Sequence, residues 1–182
     1  MSFRRRVLTA MAAALLALAG LAPAQAVASA SEAASAQAPS YCVIVVGKAP
    51  PGEPSPIRSR ACGNDYATVQ RQAGAQQTVL LMEWFWNANN QPPLLTRIHG
   101  DYGDCDSAGY RIIVKDDWAN NISGFNAESH CNVVTGFNWP STVDWSGDEQ
   151  TWANYSVCAC LSQGWVGSFM NDRIEAFWIR RG

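Results

Sequence analysis

Six cysteines are the residues of this chain whose chemistry is easiest to define. Thiolates can ligate zinc, and pairs of thiols can form disulfides. Zinc is disfavoured because one residue separates Cys158 from Cys160, whereas zinc knuckles usually have at least two, and because His99 and His130 are the only histidines. The even number of cysteines favours disulfides, although the sequence alone leaves the pairing open. The six are Cys42, Cys62, Cys105, Cys131, Cys158 and Cys160.

Carboxylates and histidines give no catalytic pattern. A glycosidase needs two carboxylates that face each other across a cleft, whereas the acidic pairs of this chain are adjacent or nearly so along the sequence. His99 and His130 are possible general bases, but no nucleophile elbow accompanies them. We therefore expect a protein that is not an enzyme. The acidic pairs are Asp104/Asp106, Asp116/Asp117 and Asp148/Glu149.

Two turns rich in Asn and Asp belong to an internal repeat. Residues 118–125 (WANNISGF) align with residues 170–177 (MNDRIEAF) at an offset of 52 residues. Each copy begins with an apolar anchor, continues through polar turn residues and ends with Ile and Phe three residues apart. The same offset aligns Phe85 with Phe137. The pattern predicts that each turn leads into a strand in the same way. It also places Ile122, Phe125, Ile174 and Phe177 in the core.

Residues 117–125 and 170–177 resemble the paired W-N-D-x-I-S-S-F turns of microbial βγ-crystallin-type domains. Residues 103–110 (GDCDSAGY) and 165–173 (WVGSFMNDR) are similar to segments of small secreted actinobacterial members, a group that includes metalloproteinase inhibitors. The resemblance covers about residues 79–182. It implies two Greek-key halves packed as a sandwich, and a disulfide between Cys105 and Cys131.

The resemblance also implies Ca²⁺ sites shared between the two turns. The hydroxyl of Ser123 would pair with the carbonyl of Arg173, and Glu175 would pair with the carbonyl of Asn121. Both turns depart from the W-N-D-x-I-S-S-F pattern. Ala119 lacks the polar side chain of its second position, and Glu175 replaces a hydroxyl residue. Carboxylate oxygen still suits Ca²⁺, so the departures predict weak binding. The alternative is that these turns are structural and hold no ion, with Asn and Asp serving only the turn backbone.

The elements that position these residues divide residues 41–182 into two regions. Residues 41–46 (YCVIVV) predict a buried strand, the Pro- and Gly-rich residues 47–56 a loop, and residues 57–62 a partner strand. Such a strand pair would bring Cys42 close to Cys62. Asn64 or Asp65 would cap a short helix that runs through Gln72, with Gly74 as its left-handed stop. We expect residues 41–78 to form a small appendage of unassigned role.

Short apolar and aromatic segments separated by turn residues predict an all-β domain over residues 79–182. All eight tryptophans lie in this part of the sequence. Trp139, Trp145, Trp152 and Trp165 are either core residues or an aromatic platform for a ligand. The predicted fold class is an all-β, two-Greek-key, βγ-crystallin-like sandwich. Its predicted strands cover residues 79–86, 94–98, 110–114, 122–125, 131–137, 155–161 and 174–179.

The first residues predict export. Arg4 to Arg6 form a basic region, residues 7–21 an apolar region, and Ala24-Gln25-Ala26 a small-x-small cleavage pattern, so residues 1–26 predict a signal peptide. Residues 27–40 are rich in Ala and Ser and predict a disordered leader. The mature protein would be secreted and mildly acidic, without Lys/Arg clusters for nucleic acid and without a later membrane-spanning segment.

These expectations define two functional hypotheses. The first is a secreted, non-enzymatic binding protein, which by resemblance is an inhibitor of extracellular metalloproteinases. The alternative is a structural envelope or matrix protein of βγ-crystallin type with weak or absent Ca²⁺ binding. We expect a monomer whose partner is an extracellular protease, with no cofactor other than Ca²⁺. Assigning Cys42 to Cys62 and Cys105 to Cys131 leaves Cys158 with Cys160, a pair that closes a very short loop.

Overall fold

A computed structural model describes residues 40–138, 145–156 and 160–182. Ten strands, one short α-helix and three 3₁₀ helices (Ala75–Gln77, Ala88–Asn90 and Asp116–Trp118) form the regular structure of these residues. The predicted signal peptide and nearly all of the predicted leader lie outside the described residues. The strands are β1 (Tyr41–Val46), β2 (Ile57–Gly63), β3 (Val79–Asn87), β4 (Gln91–Gly100), β5 (Tyr110–Ile113), β6 (Gly124–Ala127), β7 (Val133–Asn138), β8 (Asp148–Ala153), β9 (Leu161–Gln163) and β10 (Ala176–Arg180), and the helix is α1 (Tyr66–Gln72).

The strands form two sheets, which confirms the all-β class. A six-stranded sheet has the order β2-β1-β4-β3-β6-β9, and a four-stranded sheet has the order β5-β10-β7-β8. Neighbouring strands are antiparallel except for β1 and β4, which are parallel. The predicted boundary at residue 78 lies within the six-stranded sheet, and residues 37–182 form one compact unit.

The two sheets exchange strands between two equivalent halves of the protein. The first half comprises β3 to β6 and the second comprises β7 to β10. Each sheet contains the first, second and fourth strands of one half together with the third strand of the other. The pairing register repeats at the predicted offset, since Trp84 pairs with Phe125 and Gly136 pairs with Phe177. The repeat seen in the sequence is therefore a repeat of backbone pairing.

The main core lies between the sheets. Ile122, Phe125, Ile174 and Phe177 are fully buried, which confirms their predicted role. The rings of Phe125 and Phe177 lie 5.7 Å apart between centroids. Aromatic side chains from both halves surround them, with Trp152 5.2 Å from Phe125 and Trp84 5.8 Å from Phe177.

Strand β1 is buried on both faces, which explains its unbroken β-branched sequence. Ile44 and Val46 belong to the main core, whereas Val43 and Val45 pack in a smaller cluster that contains Val69 of α1. The helix begins as predicted, because the side chain of Asp65 accepts a hydrogen bond from the Thr68 N–H at 2.8 Å. The Thr68 side chain is the largest cause that lowers the pKa of Asp65, followed by the Thr68 N–H. Gly74 follows the helix with a positive φ of 67°.

Two of the three predicted disulfides are confirmed. Cys42 is bonded to Cys62, which lies opposite it in the β1–β2 pair, and Cys105 is bonded to Cys131. Cys160 is also disulfide-bonded, and its predicted partner Cys158 lies outside the described residues.

The strand prediction is wrong in one region. Residues 148–153 (DEQTWA) form β8, although no predicted strand covers them. Only Trp152 of this edge strand is buried, so apolar residues do not alternate clearly along it. The predicted strand 155–161 is wrong at its described ends, because Tyr155 and Ser156 are not in a strand and Leu161 begins β9. Strands β6 and β10 each begin two residues later than predicted, because pairing starts only at Gly124 and Ala176.

Candidate functional site

The two repeated turns have matching backbone geometry. Asn120 and Asp172, which are 52 residues apart, both adopt left-handed conformations with φ of 62° and 55°. Asn121 N–H donates to the Trp118 carbonyl, and Arg173 N–H donates to the Met170 carbonyl, each at 3.1 Å. The polar residues therefore support turn geometry in both copies.

The structure also brings the two turns into contact. Asn120 N–H donates to the Ile174 carbonyl at 3.1 Å, and the Asn120 amide nitrogen donates to a Glu175 carboxylate oxygen at 3.3 Å. A further pair of backbone hydrogen bonds links equivalent residues of the two halves. Val114 N–H donates to the Glu175 carbonyl at 2.8 Å, and Val166 N–H donates to the Ser123 carbonyl at 2.9 Å.

The predicted Ca²⁺ ligands are engaged in different ways. Ser123 is buried, and its N–H donates to the Phe85 carbonyl at 3.0 Å. The side chain of Arg173 donates to Asp148 at 2.6 Å and to the Phe169 carbonyl at 3.1 Å. The side chain of Asn121 donates to the Asp117 carbonyl at 2.8 Å. Among the described residues, no group of three or more His, Cys, Asp or Glu could hold a metal ion. Ca²⁺ binding at these turns stays a prediction.

The acidic pairs make local contacts. Asp104 lies 2.8 Å from Nδ1 of His130, and both side chains are exposed. Asp106 forms an ion pair with Lys48 and accepts hydrogen bonds from the Ala108 and Gly109 N–H groups. The Lys48 contact is the largest cause that lowers the pKa of Asp106, followed by the Gly109 N–H. These carboxylates organise a loop.

The two histidines lie in different environments. In contrast to exposed His130, His99 is buried in β4, and its Nδ1 lies 3.1 Å from the Thr78 hydroxyl. Burial lowers the pKa of His99.

The loop between β4 and β5, residues 101–109, is held at many points and is here named the Tyr102 loop. The Cys105–Cys131 disulfide fixes its centre, and Cys105 N–H donates to the Ser129 carbonyl at 2.9 Å. The Tyr110 hydroxyl donates to the Gly103 carbonyl at 2.8 Å. Tyr102 itself is 73% exposed. A rigid loop therefore presents a large aromatic side chain to solvent.

The tryptophans considered as a platform occupy separate environments. Trp152 packs in the main core, Trp145 packs against Phe137, and Trp165 is exposed. Trp139 lies outside the described residues.

The outer face of the four-stranded sheet contains a cavity that the sequence did not indicate. Its volume is about 300 Å³. We name it the arginine cleft, because two arginines from neighbouring strands line it. Its lining residues are Gly52, Arg111, Thr135, Phe137, Trp145, Glu149, Thr151, Trp178 and Arg180.

Two guanidinium groups stack on one tryptophan in this cleft. The guanidinium carbon of Arg111 lies 4.3 Å from the Trp178 ring centroid, and that of Arg180 lies 3.9 Å from it. Burial lowers the pKa of both arginines, and the nearby charge of Arg180 lowers that of Arg111 further. Arg180 donates to the Thr135 hydroxyl at 3.3 Å, whereas the buried Nε of Arg111 has no hydrogen-bond partner within the described residues.

The cleft was missed because most of its residues come from four strands whose neighbours in the sheet are distant in sequence. The only local signal was alternation, which places Trp178 and Arg180 on one face of β10 and Arg111 between the buried Tyr110 and Ile112 on β5. Comparisons with protein-family models, with curated proteins and with solved structures gave no match to this protein.

Proposed function

We propose that this protein is a secreted, non-enzymatic binding protein of βγ-crystallin type that inhibits extracellular metalloproteinases. The observation that carries the proposal is the Tyr102 loop, which combines a central disulfide with an exposed aromatic side chain. A loop that is already ordered loses little conformational entropy on binding, so more of its contact energy appears as affinity.

The contacts at both ends of the Tyr102 loop support this role. Asp101 N–H donates to the Val46 carbonyl at 3.1 Å, and the Asp101 carboxylate accepts a hydrogen bond from Arg58 at 3.3 Å. At the other end, Arg181 N–H donates to the Asp106 carbonyl at 2.9 Å. Lys48 pairs with Asp106 and also lies 5.5 Å from the Tyr102 ring centroid. The loop is thus anchored on β1, β2 and the residues that follow β10.

The fold supports the βγ-crystallin part of the proposal. Two sheets built from two halves with the same pairing register agree with the two-half sandwich that the resemblance in the turns implies. Two disulfides are typical of proteins in an oxidising compartment, which agrees with export. No helix in the described part of the protein is long and apolar enough to cross a membrane.

The second candidate is a structural envelope or matrix protein of the same type with weak or absent Ca²⁺ binding. The contact between Asn120 and the second turn favours it, because paired turns are the arrangement that the predicted sites require. The two candidates differ in whether the protein has a macromolecular target.

Inhibition of a thermolysin-like metalloproteinase by the mature protein tests the first candidate. Tyr102→Ala should weaken inhibition by about tenfold or more, the effect of removing an interface hot spot, without changing the melting temperature. Tyr155→Ala is the matched control, because Tyr155 is 75% exposed and lies outside the loop. Absence of inhibition at about micromolar protein, a concentration at which specific complexes form, would remove the inhibitor assignment. Equal losses in the two variants would remove the loop as its site.

A further inference from the structure

The outer faces of the two sheets carry equivalent rows of side chains. In the six-stranded sheet, Ser162, Asn126, Glu83 and Arg97 lie opposite one another on β9, β6, β3 and β4. Glu83 accepts hydrogen bonds from Arg97 at 2.6 Å and from Asn126 at 3.0 Å. The Ser162 hydroxyl donates to Asn126 at 2.7 Å. This row contains its own carboxylate, and both carboxylate oxygens have donors.

The corresponding row of the four-stranded sheet lacks the carboxylate. It consists of Arg111, Trp178, Thr135 and Thr151 on β5, β10, β7 and β8. The offset of 52 residues aligns Thr135 with Glu83 and Trp178 with Asn126. The Thr135 and Thr151 hydroxyls lie 2.8 Å apart and bond to each other. The row thus has a guanidinium at one end and no anion within it.

The charges in the arginine cleft are unevenly matched. Two guanidiniums share the Trp178 ring, and neither forms an ion pair within the part of the protein that the structure describes. Glu149 lines the cleft, and its charge raises the pKa of Arg180 against the larger effect of burial. Arg111 receives no such compensation, and its Nε is buried without a partner among the described residues. Both cations line the cleft without an ion-pair partner among the described residues, so an anionic ligand bound against the Arg111 guanidinium would supply the missing counter-charge.

The side-chain groups that remain available in the cleft determine which kind of ligand it can bind. Both arginines stack on Trp178, and Trp145 packs edge-on against Phe137 at 5.6 Å, so these rings are already engaged. A neutral sugar would need an open aromatic face. In contrast, a guanidinium fork fits a planar carboxylate, with which it forms two parallel hydrogen bonds.

One wall of the cleft also offers backbone groups. Strand β8 supplies Glu149 and Thr151 and is the edge of its sheet, with no further strand paired to it among the described residues. An exposed edge can accept an extended peptide. At the opposite edge, β5 is already bonded to Ser55, which donates to and accepts from the Arg111 backbone.

We propose that the arginine cleft binds a carboxylate of an acidic peptide segment, held by the Arg111 guanidinium where it stacks on Trp178. This inference rests on the proposed role as a binding protein but concerns a site other than the Tyr102 loop. The carboxylate comes from an acidic side group or from the C-terminus of a peptide, which are chemically equivalent for the fork.

The experiment titrates the mature protein with blocked tripeptides and follows the Arg111 Nε–H and Trp178 indole resonances by NMR. A peptide with a central glutamate should shift both resonances, whereas one with a central glutamine should not. An unblocked alanine tripeptide distinguishes a C-terminal carboxylate from a side-chain carboxylate. Arg111→Lys keeps the charge but loses the fork, and should weaken binding by about tenfold or more, the value of a charge-assisted hydrogen bond.

Matched variants separate the cleft from general charge effects. Arg97→Lys makes the same change in the row that contains Glu83 and should leave peptide binding unchanged. Glu149→Gln removes a like charge beside the ligand and should strengthen binding. Thr151→Glu, at an exposed position on β8, places a carboxylate of the protein itself in the cleft and should block the peptide.

The proposal is overturned if the glutamine peptide binds as tightly as the glutamate peptide, or if Arg111→Lys, shown by its melting curve to be folded, binds normally. It is also overturned if glucuronate binds through Arg111 and neither carboxylate peptide does. Because this titration contains no protease, its failure leaves the inhibitor proposal intact, and loss of the inhibitor proposal leaves the cleft intact.

Discussion

The two halves of the duplicated domain share their interior but differ on their outer faces. Their strands pair in the same register, and Phe125 and Phe177 occupy equivalent buried positions. On the outer face of the six-stranded sheet, the carboxylate of Glu83 accepts a hydrogen bond from Arg97. The ring of Tyr66, in α1, lies 4.0 Å from the Arg97 guanidinium. In the second half, Thr135 takes the place of that carboxylate and a cleft is open. Both copies must fill the same interior. We therefore expect a specific ligand to bind on the outer face, where the two copies differ.

The largest expected effect tests the shared interior. Phe125→Ala and Phe177→Ala should each lower the free energy of unfolding by about 3–5 kcal/mol, because each removes a fully buried ring. Similar losses are expected because each phenylalanine contacts a tryptophan of the other half. Denaturant unfolding measures both values. Two unchanged melting temperatures would mean that the aligned turns do not place equivalent core residues.

A smaller effect separates stability from binding. Replacing both cysteines of either described disulfide with alanine should lower stability by about 3 kcal/mol, because the bridges close loops of similar length. Only loss of Cys105–Cys131 should also abolish protease inhibition, because only that bridge lies in the Tyr102 loop. Thermal unfolding and the inhibition assay measure the two effects. Equal inhibition by the two variants would contradict the role of the loop.

The smallest expected effect tests whether the two turns differ in Ca²⁺ binding. A site with a millimolar dissociation constant would add about 1.4 kcal/mol at about ten millimolar Ca²⁺, or a few degrees in melting temperature. Ser123→Ala should reduce this gain more than Glu175→Gln, because Ser123 has the hydroxyl found in the βγ-crystallin-type turns that this turn resembles. Calorimetry with Ca²⁺ and with EDTA measures the gain. Identical melting curves would show that the turns are structural.

Local signals in the sequence were sufficient for some elements. The β-branched residues of β1, the cap at Asp65 and the left-handed Gly74 each act within a few residues, so strand, helix and stop were predicted correctly. The 52-residue repeat predicted the buried isoleucines and phenylalanines, because both copies must fill the same interior.

Other features depend on contacts between distant residues. Strand β8 was missed because an edge strand buries little and its sequence is polar. The arginine cleft was missed because β10 lies between β5 and β7 only in the folded sheet, and nothing near Arg111 in sequence indicates Trp178 as its neighbour. A row of outward side chains becomes visible only when the strand order is known.

The position of β1 has a consequence for self-association. Strand β4 is ten residues long, and without β1 its unpaired N–H and C=O groups would be a template for strand addition from another molecule. The β1–β2 pair occupies that edge, and its own outer strand carries the exposed charges of Arg58 and Arg60. Charged outer strands resist pairing between molecules. The disulfide between Cys42 and Cys62 holds these two strands together, so we expect the β1–β2 pair to hinder aggregation along β4, the longest described strand.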